Sequence, residues 1–340
     1  MKFGMKFVFC MIAALFLTGC GNIGKKAPGP SPTPIPEPEY NNYLFAYFVG
    51  EGEGGEAIYF AVSEEGYNWS ELNGGRSVLQ SALGTTGLRD PYLMRSEDGD
   101  KFYLIATDLC INKDGDWWKA QTAGSKSVMF WESDDLISWS EQKMLAINNK
   151  TAGCTWAPEC YYNAETEEYM IFWASRTRND GFAQQRIFYT TTKDFVEFAK
   201  PKVWINYPYS TIDTTIIEED GTYYRFTKYE DKARIIMERA DSLLGEWTEV
   251  ESLILDVQAG VEGPTCFEFH EEDIVDGQRF ALLLDNFGGA GYYMLTTDSL
   301  ADGEFQKVKG YSLPKRPRHG TVIRITDEEY AALVETYGTK

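Results

Sequence analysis

Trp131-Glu132-Ser133-Asp134-Asp135-Leu136-Ile137-Ser138-Trp139 has four counterparts elsewhere in the chain, and together they decide the fold. They are Ala61 to Trp69 (AVSEEGYNW), Thr190 to Phe198 (TTTKDFVEF), Arg239 to Trp247 (RADSLLGEW) and Leu295 to Phe305 (LTTDSLADGEF). Each reads as a strand end, a short polar turn and an aromatic that opens another short strand. Copies recurring at about 50 to 70 residues have the period of propeller blades. The polar turn would join the third strand of a blade to its fourth, and the aromatic would pack between neighbouring sheets.

The other strands follow from turn signals. Residues 90–96 and 102–107 form a hairpin around Glu97-Asp98-Gly99-Asp100, and 157–162 with 169–174 form another around Ala164 to Glu167. Residues 214–218 pair with 222–227, and 265–269 with 279–285. The first copy, spanning Tyr43 to Leu79, lacks an innermost strand, while Gly320 to Ile325 is a strand with no blade of its own. The expectation is an all-β, five-bladed β-propeller whose N- and C-terminal strands share a blade and close the ring, leaving few exposed edges. Residues 326–337 read as a short C-terminal helix that packs on the propeller. Thr326 and Glu329 make its capping box, and Gly338 its stop.

Ahead of this domain (residues 41–340) lie two segments of different character. Lys2 and Lys6, an apolar run from Phe7 to Leu17 and Leu17-Thr18-Gly19-Cys20 form a lipoprotein signal peptide over residues 1–20, with Cys20 as the lipidation site. Residues 21–40 form a tether in which Ala27 to Pro38 (APGPSPTPIPEP) favours extended polyproline II. The expected location is the bacterial cell envelope, lipid-anchored and outward-facing. Contact with the membrane would run through the lipid alone.

Aromatics make up 15% of the chain, which suits a β body. The net charge of −20 without a Lys/Arg block argues against nucleic acid and polyanions and favours a neutral partner. Cys110, Cys154, Cys160 and Cys266 lack metal-site spacing and read first as single thiols, a disulfide being the alternative.

In a propeller the first strand of each blade lines the central axis, so its leading residues can meet. Those leads are Arg89-Asp90-Pro91, Trp156-Ala157-Pro158-Glu159, Ile212-Asp213-Thr214, Val261-Glu262-Gly263-Pro264 and Arg318-His319-Gly320. A turn explains any one acid locally, but not three acids in what reads as a common phase. Carboxylates there must be hydrated, paired or functional, because burying an isolated charge is costly.

This ordered set resembles glycoside hydrolase family 43, the five-bladed propeller arabinosidases and xylosidases, over residues 41–338. The resemblance implies Asp90 as general base, Glu262 as general acid and Asp213 as the group that tunes the acid's pKa and helps orient substrate. It also implies substrate contacts from Trp156 and His319, with His319 on an axis where some members hold water or a calcium ion; no cofactor is otherwise required. Thr214 stands where the family often has proline, and Glu159 is a competing acid two steps along its strand. Inverting hydrolysis needs an acid and a base about 6.5–9.5 Å apart, which acids on different blades can supply. Glu262 must then carry a proton near neutral pH, with Asp213 expected to raise its pKa.

The expected activity is inverting, exo-acting removal of terminal α-L-arabinofuranose from plant-type polysaccharides or oligosaccharides. A β-xylosidase or exo-β-galactosidase would use the same residues. Two rivals remain: a non-catalytic surface glycan-binding propeller, and a retaining sialidase-type propeller for which Arg89 and Arg318 would be the start of an arginine cluster.

Overall fold

The computed structural model describes residues 38–289 and 291–340, so the signal peptide, Cys20 and nearly all of the proline-rich segment lie outside the described residues. Strands β1 (Asn42–Phe48), β2 (Tyr59–Ser63) and β3 (Ser70–Glu71) begin the first blade. The second holds β4 (Leu88–Arg95), β5 (Phe102–Asp108), a helix α1 (Trp117–Thr122), β6 (Val128–Ser133) and β7 (Lys143–Leu145). The third has β8 (Trp156–Asn163), β9 (Glu168–Ser175), β10 (Arg186–Thr192) and β11 (Lys202–Ile205). The fourth has β12 (Thr211–Glu219), β13 (Thr222–Tyr229), β14 (Arg234–Ala240) and β15 (Thr248–Glu249), followed by α2 (Leu253–Val257). The fifth has β16 (Glu262–Glu268), β17 (Phe280–Asn286), β18 (Gly291–Thr297) and β19 (Gln306–Lys307). Finally β20 (Arg318–Ile325) returns to pair antiparallel with β1, from Asn42 opposite Ile325 to Phe48 opposite Arg318, and α3 (Asp327–Tyr337) follows.

Each sheet is four-stranded and antiparallel, and the innermost strands meet in the cyclic order β4, β8, β12, β16, β20 and β4 again. The ring of five blades closed by the terminal strands is therefore the architecture the repeat predicts.

The repeat has a hydrogen-bonding reason in the first three blades. The hydroxyls of Ser63, Ser133 and Thr192 accept the N–H groups of Gly66, Leu136 and Phe195 at 2.8, 2.9 and 3.0 Å. Glu65, Asp135 and Asp194, two residues further on, accept the N–H groups of Asn68, Ser138 and Glu197 at 2.5, 2.6 and 3.0 Å. These side chains stand in for backbone partners in a tight turn, which is why Ser, Thr, Asp and Glu recur there. The fifth blade keeps only a weaker version, with Thr297 accepting from Ser299 at 3.3 Å.

No blade owns its core. Every large apolar cluster spans two neighbouring sheets: Leu44, Phe60, Leu104 and Trp131 join the first and second blades, and Phe45, Trp69, Phe267 and Leu283 join the first and fifth. Alternate residues of β1 thus face opposite neighbours, which explains its unbroken burial. The repeat aromatics Trp69, Trp139, Phe198 and Phe305 enter these shared layers as expected, and Trp247 meets Trp204 of the third blade edge-on at 5.8 Å. The four cysteines of the described residues are free thiols.

The capping box of α3 forms as expected, Thr326 accepting from the Glu329 N–H and Glu329 from that of Thr326. Its Leu333 is fully buried among Leu88, Leu104 and Ile325. Leu333→Ala is expected to cost about 2–5 kcal/mol in urea unfolding. Thr326→Ala should cost only about 1 kcal/mol.

Candidate active site

At the head of each innermost strand the ladder carries one extra residue. Arg89 faces Thr107 and Tyr92 faces Ile105, so Asp90 and Pro91 oppose the single Ala106. The same irregularity falls at Ala157-Pro158, at Asp213 and at Gly263-Pro264. In the first blade His319 is the extra residue between the Phe48–Arg318 and Tyr47–Gly320 pairs. Asp90, Ala157, Asp213 and Gly263 adopt left-handed φ of 48°, 45°, 52° and 51°. Such bulges bend the strand and re-aim side chains. The equivalent residues are therefore Asp90, Ala157, Asp213, Gly263 and His319.

This register corrects the expected common phase of the three acids. Asp90 and Asp213 do share a position, but Glu262 stands one residue earlier, level with Arg89, Trp156, Ile212 and Arg318. The reason is space. A Cβ on Gly263 would lie 2.7 Å from the Cβ and Cγ of His319, closer than real Cβ atoms come. The fifth blade cannot present a side chain from the bulge itself, so its acid comes from the residue before. Thr214, where proline was expected, leaves the bulge intact and pairs with Thr227 Oγ1 at 3.0 Å.

The two tiers line one cavity of about 650 Å³ at the mouth of the ring, within the usual size range of ligand pockets. The earlier tier gives Arg89, Trp156, Ile212, Glu262 and Arg318; the bulge tier gives Asp90, Asp213 and His319. The rest of the wall has a topological origin. An innermost strand runs away from the mouth and its partner returns, so second-to-third connections come back to the pocket. They bring Glu51, Trp117, Gln121, Glu230, Ala233 and Phe287. The predicted site residues Asp90, Asp213, Glu262, Trp156 and His319 all meet here.

Cations surround Glu262. Its Oε2 lies 2.7 Å from Lys228 Nζ and its Oε1 2.7 Å from Arg318 Nη2. Arg318 also bonds the fully buried Asp285, and Glu51 bridges Arg89 at 2.9 Å and Arg318 at 3.6 Å. Burial pushes the Glu262 carboxyl up, but Lys228, then Arg318 and Arg89, outweigh it and hold the group below its ordinary range. The reverse holds for Asp213. Burial first, then the charges of Glu262 and Asp90, push it up to about 7 against the pull of His319 and Lys228. Its Oδ2 accepts the Gly263 N–H at 3.0 Å, beside Glu262 itself. The expected ordering is thus inverted: burial favours a proton on Asp213, while Lys228 and Arg318 disfavour one on Glu262.

Asp90 is fixed differently. Thr107 donates to its Oδ2 at 2.9 Å and itself accepts the Ala157 N–H at 2.8 Å, tying Asp90 to the next blade. His319 Nδ1 lies 3.7 Å from Asp90 Oδ1 and 3.9 Å from Asp213 Oδ1. Glu159, the competing acid, is buried outside the pocket wall, 4.0 Å from His319 Nε2, and burial pushes its carboxyl well up. Among the described residues no cluster of three or more His, Cys, Asp or Glu has metal-site spacing, so the carboxylates near His319 do not form a direct calcium cage.

Sequence reasoning missed Lys228, Glu51, Gln121, Phe287 and the α1 tryptophans. The adjacent pair Trp117-Trp118 in an otherwise polar stretch was a usable signal. Lys228 gave none, since a lysine ending a strand is ordinary.

A family described as a "probable glycosyl hydrolase domain" matches residues 38–331. An α-L-arabinofuranosidase of Bifidobacterium longum subsp. longum is 33% identical over an alignment covering 72% of this chain and 27% of that protein. The chain thus spans about a quarter of the length of that relative. A solved glycoside hydrolase family 43 β-1,3-galactosidase superposes with a TM-score of 0.57 at 12% identity, covering 80% of this chain and 93% of that one, a likeness of fold. An exo-β-1,3-galactanase from Phanerochaete chrysosporium gives 0.48 at 17% identity, covering 65% and 50%.

The Gly263 contact is directly testable. Gly99 has a similar left-handed φ but open space where a Cβ would go. Gly263→Ala should therefore destabilise the protein by about 1–3 kcal/mol more than Gly99→Ala in paired urea titrations, the difference being the clash with His319.

Proposed function

Because the chain belongs to the glycoside hydrolase 43-related family, we propose that it hydrolyses glycosidic bonds with inversion, releasing terminal α-L-arabinofuranose from neutral plant-type polysaccharides or oligosaccharides. The observation that carries the reading is the convergence of Asp90, Asp213 and Glu262 with Trp156 in one pocket. The arabinose assignment rests on the name of the Bifidobacterium relative.

In this reading Asp90 is the general base. Thr107 occupies one carboxylate oxygen and fixes its orientation, leaving Oδ1 to take a proton from water. Glu262 is the general acid, and it must gain a proton as the site fills. Asp213, whose burial favours a proton, is the neighbouring group positioned to hold it; such a pair titrates as a unit. Trp156 offers a flat apolar face to the sugar, with Arg89 and Arg318 as hydrogen-bond donors. No step requires calcium. On the sequence alone we also propose that Cys20 is lipidated and holds the enzyme at an outward-facing membrane surface.

Asp90→Asn should lower kcat by about 10²–10⁴-fold across a panel of p-nitrophenyl arabinofuranosides, xylosides and galactosides, and Glu262→Gln should do so on oligosaccharides, whose leaving sugar needs the proton that p-nitrophenolate does not. Retained activity in either would sink the assignment. Proton NMR of the first sugar released should show the inverted anomer; retention would demand a nucleophile instead.

A second test concerns pH. An acid catalyst acts while protonated, so its pKa sets the alkaline limb of kcat/KM. Lys228 lowers the pKa of both Glu262 and Asp213. Lys228→Met should accordingly move the alkaline limb to higher pH. A limb that stays put or moves down would exclude Glu262 as the acid.

A further inference from the structure

Helix α1 presents two tryptophans side by side at the pocket rim, and the mechanism uses neither. Trp117 and Gln121, one turn apart, face the pocket, and Trp117 stands edge-on to Trp156 with centroids 6.0 Å apart. Trp118 lies outside the pocket lining and is 60% exposed, a large apolar surface to leave in water.

The helix and the guanidinium beneath it are anchored. The Arg176 guanidinium lies 6.0 Å from the Trp118 ring centroid. That guanidinium is itself fixed by bonds to Gln121 Oε1 at 2.8 Å, Phe182 O at 2.6 Å and Ala183 O at 2.9 Å. The helix is tied down as well. Asp116 caps it by accepting the Lys119 N–H at 2.9 Å, and Gly124 donates to Gly153 O at 2.7 Å. Gly153 touches the backbone of Gln121 so closely that a side chain there would collide with it. An exposed indole on so firmly anchored a helix, next to a sugar-sized pocket, has the character of a stacking surface, since the backbone that carries it needs no ordering on binding.

We propose that Trp118 is a stacking platform for the sugar rings on the polymer side of the scissile bond, so that the enzyme holds a chain outside the pocket while a terminal residue sits inside it. This deepens the glycosidase reading and rests on it. The ligand class is neutral saccharide: the net charge of −20 disfavours polyanions, and Trp118 lies over Arg176, whose guanidinium bonds the pocket residue Gln121.

The test compares Trp118→Ala with Trp118→Phe and the parent enzyme on p-nitrophenyl α-L-arabinofuranoside and on arabinan, arabinoxylan and β-1,3-galactan. For the polymer that is cleaved, the ratio of kcat/KM on polymer to that on aryl glycoside should fall about three- to tenfold in Trp118→Ala, through KM. Trp118→Phe should recover most of it. Equal losses on both substrates would mean a structural role, and an unchanged ratio would mean no platform; either overturns the proposal. Binding of the same polymers to Glu262→Gln, with and without Trp118→Ala, by affinity electrophoresis separates the two readings. A Trp118-dependent retardation without hydrolysis by the parent enzyme would keep the platform and reject the glycosidase. A self-association that Trp118→Ala abolishes, with polymer kinetics unchanged, would assign the surface to a second copy and overturn the proposal.

Discussion

The site depends on one extra residue at the head of every innermost strand. A regular ladder would alternate side chains between the two inter-blade cores, as β1 does, and would aim none of them along the axis. The bulge breaks that alternation once per blade. It turns Asp90, Asp213 and His319 inward while the strand below returns to ordinary packing. Left-handed backbone is tolerable for aspartate and glycine and strained for alanine, so Ala157 is held there by its surroundings. The bulge of the third blade contributes position rather than chemistry: its N–H anchors Thr107, which anchors Asp90.

The same constraint produces the charge arrangement. With the fifth-blade bulge reduced to glycine by the nearness of His319, the acid moves to the tier occupied by Arg89 and Arg318, and into reach of Lys228. Cations next to a largely buried carboxylate satisfy it, and they also make it reluctant to hold a proton. Asp213, one position further in and without a direct cationic bond, is left with the opposite tendency. Asp213 and Glu262, in contact with one cavity, are thereby driven apart in proton affinity.

Much of this was legible in the sequence. The repeat showed blade number, strand order and the shared terminal blade, because a polar turn followed by an aromatic recurs at blade spacing, with a shared hydrogen-bonding cause in three of its five copies. The strand heads named Asp90, Trp156 and His319 because a proline or glycine that punctuates a strand lies within two residues of each, and Asp213 only by its place at the head of the matching strand of the fourth blade. What stayed hidden was non-local. The one-residue offset of Glu262 comes from a contact between Gly263 and His319, 56 positions apart in the chain. The pKa ordering comes from Lys228 and Arg318, which reach Glu262 from two other blades. The α1 rim arises from a long connection whose fold no periodicity announces.

The pairing of β20 with β1 has a consequence in time as well as in space. These strands are separated by almost the whole domain, and contacts at such sequence distance carry a large loop-closure cost before any core rewards them. Until Ile325 meets Asn42, β1 lacks its inner partner, and the cores on both its faces are open. The last strand made is therefore the one that converts a row of sticky, half-covered sheets into a cooperative unit. A chain interrupted short of it would expose apolar surface to other chains, the state from which large β proteins aggregate.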